Sequence, residues 1–90
     1  MKFMITYSID PDHDRAAKGR FLKTGAPPPN GLKMMGRWHT GTHGYILAET
    51  SDAKAIFEWI SQWSDLLRFT AEPVVEDADA GEVLQRMISD

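Results

Sequence analysis

The first residues of the chain alternate between apolar and polar side chains. Phe3, Ile5, Tyr7 and Ile9 occupy every second position. A period of two with aromatic and β-branched residues predicts a strand over residues 2–9, whose richer face lies under helices. The opposite face of this strand would carry Met4, Thr6 and Ser8.

A helix is predicted directly after this strand, over residues 11–24. Asp10 is a favourable N-cap, and Pro11 suits the first helical position because its missing N–H would have had no partner there. Gly25 is well placed to end the helix in the left-handed conformation. The proline-rich residues 26–31 then predict an extended connector that ends in an Asn-Gly turn.

Two further strands are predicted over residues 32–40 and 45–50, joined by a hairpin turn at residues 41–44. An even-numbered loop would pair even positions of one strand with odd positions of the other. Six residues would then share a face: Met34, Gly36, Trp38, Tyr45, Leu47 and Glu49. An odd loop or a β-bulge would exchange the faces and bring Arg37 and His39 to this side instead.

The strongest helical signal follows Ser51 and Asp52, which cap the helix. Its apolar stripe consists of Ala53, Ile56, Phe57, Ile60, Trp63 and Leu67, widened by Trp59 and Leu66. Residues 68–75 alternate again and predict a fourth strand. Asp77 or Asp79 then begins a third helix, which we expect to pack through an apolar side formed by Ala80, Val83, Leu84, Met87 and Ile88.

The order β-α-β-β-α-β with an extra C-terminal helix predicts a single α+β domain over residues 1–90. The simplest arrangement is ferredoxin-like, an antiparallel sheet of order 4-1-3-2 with both helices on one face. Pro73 cannot donate to a strand ladder, and this order puts its strand at an edge. Glu49 belongs on the open face, because burying it unpaired under helices would cost several kcal/mol. That half-apolar face predicts a homodimer, a dimeric α+β barrel.

Composition narrows the classes of function. The 90 residues include no cysteine, so neither a disulfide nor a thiolate ligand is available. A net charge of −3 with scattered basic residues argues against a nucleic-acid partner. The chain has no apolar run long enough for a signal peptide or a membrane span. We therefore expect a cytoplasmic protein that binds neither nucleic acid nor membrane.

The open sheet face is the candidate site for a small organic ligand, because it combines a flat aromatic surface with a few polar groups. The predicted ligand-binding residues are Thr6, Ser8, Trp38, Tyr45 and Glu49. The candidates for proton transfer are His39, Glu49 and Glu72. Each also has a purely structural explanation: Trp38 as barrel core, His39 as a hydrogen-bonding or exposed side chain, the carboxylates as ion-pair partners.

Neither a metal nor a cofactor is expected. His39 and His43 do not have the spacing of a zinc motif, and no cysteine completes a ligand set. The glycines follow no phosphate-loop pattern, because no helix begins at Gly41 or Gly44.

Several segments of the chain are distinctive as a set. They are the opening strand 1–7, Gly25-Ala-Pro-Pro-Pro, Gly36-Arg-Trp-His, Glu58-Trp59, Gln62-Trp63 and Glu72-Pro-Val. Together they resemble the uncharacterised family called domain of unknown function 3303, over nearly the whole chain. The resemblance implies a ferredoxin-like fold of the dimeric α+β barrel type and carries over no catalytic residue.

Other dimeric α+β barrels include cofactor-free monooxygenases, lactone isomerases and haem enzymes, so the fold alone does not choose among activities. Two hypotheses follow for this chain. One is a barrel that binds a small organic molecule between its sheets, with or without a cofactor-free activity. The other is a non-enzymatic dimerisation or regulatory module without a ligand.

Overall fold

The computed structural model describes residues 1–89 and contains one antiparallel sheet. Its strands are β1 (Lys2–Ile9), β2 (Lys33–His39), β3 (His43–Glu49) and β4 (Leu67–Val74). Its α-helices are α1 (Asp14–Thr24), α2 (Ala53–Trp63) and α3 (Asp77–Ile88), with a 3₁₀ turn at Pro11–His13 before α1. The strand order is β2-β3-β1-β4, which is the predicted ferredoxin-like order and leaves the strand of Pro73 at an edge.

The register of the strands separates the residues of the sheet into two faces. Ile5 pairs with Ile46, and both are buried against the helices. On the opposite face Thr6 lies between Tyr45 and Thr70, its partners on β3 and β4. The face without helices is called the open face below.

Glu49 lies on the open face, as predicted. It pairs with Lys2 on one strand and Lys33 on the other, so it lies between two lysine positions of the sheet. This arrangement avoids the cost of burying a carboxylate beneath the helices.

A β-bulge between Met34 and Gly36 overturns one predicted position. Trp38 pairs with Tyr45 as the even-numbered loop requires, but Met34 pairs with Ala48. The extra residue in β2 shifts Met34 to the helix side of the sheet, where it packs against the core. The prediction that Met34 lies on the open face is therefore wrong.

The ends of α1 agree only partly with the expected capping. Gly25 ends the helix with φ 74°, and its N–H donates to the Phe21 carbonyl at 2.8 Å. The Asp10 side chain makes no capping hydrogen bond, and its Oδ2 accepts two hydrogen bonds from Arg68, from Nε at 3.2 Å and from Nη2 at 3.1 Å. A 3₁₀ turn therefore precedes the α-helix, which begins at Asp14.

Helix α2 supplies the largest buried side chains of the helix layer. Asp52 caps it by accepting a hydrogen bond at 3.0 Å from the Lys54 N–H. Trp59 and Trp63 are both buried against the sheet. The predicted stripe is too wide, because Phe57 is 75% exposed. It is also too long, since Leu67 already begins β4.

Helix α3 does not pack against the rest of its own chain. None of its described residues is buried, and its large apolar side chains are exposed: Val83, Leu84, Met87 and Ile88. An ion pair between Lys2 and Glu76 holds its N-terminal end next to the sheet. The expected packing of the terminal helix is therefore not made within one chain. No helix in residues 1–89 is long and apolar enough to cross a membrane.

Arg20 ties α1 to the turn after α2. Its guanidinium holds the Asp65 carboxylate in a bidentate pair, with Nη1–Oδ1 at 3.0 Å and Nη2–Oδ2 at 2.7 Å. Nη1 also donates to the Gln62 carbonyl at 3.1 Å, and the group lies 5.1 Å from the centre of the Trp63 ring. These contacts fix the distance between the two helices on the surface of the domain.

Replacing Asp65 by Asn should give a stability defect that depends on pH. Hydrogen bonds from Arg20 hold the pKa of Asp65 below its ordinary value of 3.8. The pair therefore stabilises the fold above that value, and the contribution disappears as the pH falls through the lower pKa of the folded state. Urea titrations should show a lower midpoint for Asp65→Asn near neutral pH and no difference from wild type in strong acid.

Glu58→Gln is the matched control, because Glu58 is also an exposed acid and lies in the middle of α2. It should leave the midpoint unchanged. A defect of Asp65→Asn that persists in strong acid would show that the ion pair is not its source.

Candidate functional site

An apolar cavity of ≈ 320 Å³ lies between the helix layer and the sheet. Its walls include Ile5, Phe21, Ile46, Trp59, Trp63 and Phe69. Ala17 of α1 also lines the cavity and is buried, so a small side chain occupies a position where a larger one would fill the space. The volume falls within the range of small-molecule sites, about 300–1,000 Å³.

One end of the cavity is polar and is built around the pair Tyr7 and His39. The Tyr7 hydroxyl oxygen lies 2.6 Å from Nδ1 of His39, within hydrogen-bond distance. Both residues pair with Gly44 of β3, Tyr7 from β1 and His39 from β2. The hydrogen bond therefore passes over the intervening strand.

Gly44 is what allows this contact. A Cβ atom at position 44 would collide with the Tyr7 ring, so the ring lies directly over the glycine. Gly44 is buried beneath it. An aromatic ring that covers a glycine across a strand pair is a known means of fixing strand register.

Neighbouring aromatic rings hold the pair in position. The Phe21 ring meets the His39 ring edge to face, with centroids 5.2 Å apart. The Phe69 ring lies 6.4 Å from the Tyr7 ring on its other side. These separations are typical of favourable aromatic contacts and restrict the rotamers of both residues.

The charged side chains that line the cavity, within the described residues, are the cations Lys18 and Arg37. Arg37 donates to the Ala26 carbonyl at 2.8 Å and to the Gly25 carbonyl at 3.1 Å. It therefore satisfies the carbonyls of the two residues that follow α1 and connects this end of the helix to β2. Lys18 pairs with Asp14 on the same helix at 2.8 Å.

Burial and charge act in opposite directions on this polar end. Burial raises the pKa of the Tyr7 hydroxyl above its ordinary value, and the positive charges of Arg37 and Lys18 oppose that rise. Burial likewise lowers the pKa of Arg37, which the nearby Tyr7 oxygen counters. At neutral pH the site therefore presents a neutral phenol beside a guanidinium cation.

The open face carries the ligand-binding residues predicted from sequence. Thr6 and Ser8 lie on β1, Tyr45 and Glu49 on β3, and Trp38 on β2. The hydroxyls of Thr6 and Thr70 share a hydrogen bond. Trp38 is 59% exposed, and its ring lies over Gly36. A ligand site on this face stays a prediction.

The three candidates for proton transfer are not brought together. Glu72 pairs with Met4, which places it on the open face with Glu49, whereas His39 lies with Arg37 on the helix side. Strand alternation separates Trp38 from both of its neighbours in the same way.

The sequence did not identify Tyr7 or Phe21 as residues of a ligand site. For Tyr7 a signal was available, because a glycine, Gly44, lies opposite this aromatic residue on the neighbouring strand.

The described side chains do not form a cluster of metal ligands. Among residues 1–89, no group of three or more His, Asp or Glu side chains is placed to hold an ion. That the protein needs neither a metal nor a cofactor stays a prediction.

The fold and the cavity define a class, a ferredoxin-like α+β domain with an apolar cavity beneath its helices. The family model described as "Domain of unknown function (DUF3303)" matches residues 1–88. The chain therefore belongs to this family, as the sequence resemblance implied. No curated protein matches the chain.

Solved structures with a similar backbone differ widely from this chain in sequence. Two are described as "putative antibiotic biosynthesis monooxygenase". The one from Deinococcus radiodurans has 14% identity and a TM-score of 0.48, covering 84% of this chain and 94% of its own. The one from Nitrosomonas europaea has 13% identity and a TM-score of 0.44, covering 84% of this chain and 100% of its own. MupZ from Pseudomonas fluorescens has 20% identity and a TM-score of 0.44, covering 97% of this chain and 82% of its own.

Gly44→Ala should destabilise the protein by about 1–3 kcal/mol, because the added methyl group displaces the Tyr7 ring from its contact with His39. Urea denaturation would measure the change. Gly41→Ala is the matched control in the same hairpin, since a methyl group added there meets nothing within 4 Å. That control should change stability by less than about 1 kcal/mol. Equal effects at both positions would contradict a structural role for the Tyr7–His39 contact.

Proposed function

We propose that this protein binds a small organic molecule in the cavity between its helices and its sheet. The observation that carries the proposal is an apolar cavity with a single polar end, formed by Tyr7 and His39. Ligand pockets generally combine apolar walls with a few convergent polar groups. The proposed location differs from the sheet-to-sheet cavity expected from the sequence.

The cavity suits a compact molecule that contains rings. Its volume of ≈ 320 Å³ has room for on the order of ten non-hydrogen atoms, given about 30 Å³ for a water molecule in the liquid. Flat aromatic walls from Trp59, Trp63 and Phe21 favour stacking or edge contacts with a ring. The exposed lining residues Leu22 and Gly41 offer a route of entry between α1 and the β2–β3 hairpin.

A cofactor-free reaction in this cavity would use Tyr7 and His39 to move a proton. They are already joined by a hydrogen bond of 2.6 Å, and both side chains can act as general acid or base. Glu49 and Glu72 lie on the other face of the sheet and would serve only a site there.

Ala17→Leu should weaken ligand binding by filling part of the cavity, because Ala17 is a buried wall residue. Calorimetric titration with naphthalene and its derivatives should show binding to wild type and at least about tenfold weaker binding to the variant. Ala16→Leu adds the same atoms at an exposed position one residue away and should bind as wild type does. Equal affinities in the two variants would place the ligand outside this cavity.

We further propose that two copies of the chain pair through their open faces. This face exposes Trp38 on the edge strand β2 and its partner Tyr45 on β3, and α3 exposes an apolar side of its own. Lys2, Lys33 and Glu49 lie further along the same face, so the apolar patch has a polar border, as interface cores usually do. A dimerisation module without a ligand, the second hypothesis from the sequence, would need only this surface. The expected cytoplasmic location stays a prediction.

Trp38→Asp should convert the dimer into a monomer, because a carboxylate would replace the aromatic side chain within the apolar patch of the paired faces. Sedimentation or light scattering at micromolar concentration would report the mass. Phe57→Asp places the same charge on the exposed outer side of α2 and should leave the dimer intact. A wild-type chain that sediments as a monomer would remove this proposal.

A further inference from the structure

The geometry of the polar end points to a class of ligand: a ring compound with one weakly acidic hydroxyl, a phenol or an enol. We propose that Tyr7 accepts a hydrogen bond from that hydroxyl while donating its own hydrogen to His39. The inference rests on the proposed function, because it names the ligand of the same cavity.

The direction of the hydrogen bonds depends on the tautomer of His39. We assign it the tautomer with its hydrogen on Nε2, which offers Nδ1 as an acceptor 2.6 Å from the Tyr7 oxygen. The single hydrogen of the Tyr7 hydroxyl is then committed to His39. What Tyr7 presents to the cavity is lone pairs, so the matching group on a ligand is a hydrogen-bond donor.

The charged side chains of the cavity determine which hydrogen-bond donor a ligand should carry. Lys18 and Arg37 are cations, and no carboxylate is found among the lining residues that the structure describes. Asp14 offsets the charge of Lys18, so the positive charge at this end comes mainly from Arg37. Arg37 commits Nη1 and Nη2 to the carbonyls of Ala26 and Gly25, so it acts on the site chiefly through its charge. A positive field disfavours an ammonium group and favours a hydroxyl whose oxygen gains negative charge as it donates.

Carboxylates and ethers fit this end less well than a hydroxyl. Both are acceptors only and would face the lone pairs of the Tyr7 oxygen. To donate to them, Tyr7 would have to turn its hydrogen away from His39. The Phe21 and Phe69 rings on either side and Gly44 beneath hold the pair in place, which favours the existing direction. A chain of two hydrogen bonds from ligand to Tyr7 to His39 also strengthens each bond.

The test compares 2-naphthol with 2-methoxynaphthalene, which has the same rings but no donor. Calorimetric titration of the full chain should show about tenfold tighter binding of 2-naphthol, since one hydrogen bond to the partly buried Tyr7 hydroxyl separates the two compounds. Tyr7→Phe should reduce this ratio to about one. Tyr45→Phe removes a hydroxyl from the open face and should preserve it.

His39 acts as a positioning residue, and its role needs variants of its own. His39→Asn keeps an acceptor near the position of Nδ1 and should keep most of the preference. His39→Leu removes the acceptor, frees the Tyr7 hydrogen to turn towards the ether oxygen, and should lower the ratio several-fold. His43→Asn in the hairpin is the control, because His43 bonds to Thr42 outside the cavity.

The results of these titrations distinguish failure of the hydroxyl preference from failure of ligand binding in the cavity. Equal binding of both compounds to wild type would show that the protein does not recognise the hydroxyl. This result would overturn the inference, and the cavity would be a general apolar site. A preference that survives in Tyr7→Phe would show that another group reads the hydroxyl and would also overturn the inference. Failure of wild type to bind either compound would remove the proposed function and the inference together.

Discussion

The position of the Tyr7 ring over Gly44 is the constraint on which the polar end of the cavity depends. Without a side chain at position 44, the ring can cross β3 and reach His39 on β2. Three strands are thereby joined on one face of the sheet, in addition to their backbone ladders. The contact between Tyr7 and His39 also gives the apolar cavity one defined polar end. Specific binding sites generally combine apolar walls with a few polar groups in this way.

The sheet carries different chemistry on its two faces, and strand alternation is the reason. Arg37 and His39 belong to the cavity side, whereas Trp38 between them belongs to the open face. One stretch of sequence therefore serves two surfaces, and its residues do not form a single cluster. On this account the helix-side cavity is the ligand site and the open face is the surface that meets a second copy.

Much of the fold was predictable because its signals are local. The alternation in β1, Asp52 before α2, Gly25 after α1 and Pro73 at an edge each act within a few residues. The bulge that moves Met34, and the cavity itself, depend on packing between distant segments. The Tyr7–His39 contact requires the register of three strands at once, which periodicity in one strand cannot supply.

The most direct test of the central claim uses the indole N–H signals of the three tryptophans as position markers. Trp59 and Trp63 line the cavity, whereas Trp38 lies on the open face. Titration of ¹⁵N-labelled protein with 2-naphthol should shift the signals of Trp59 and Trp63 and leave that of Trp38 unchanged. A shift confined to Trp38 would place the ligand on the open face and contradict the account.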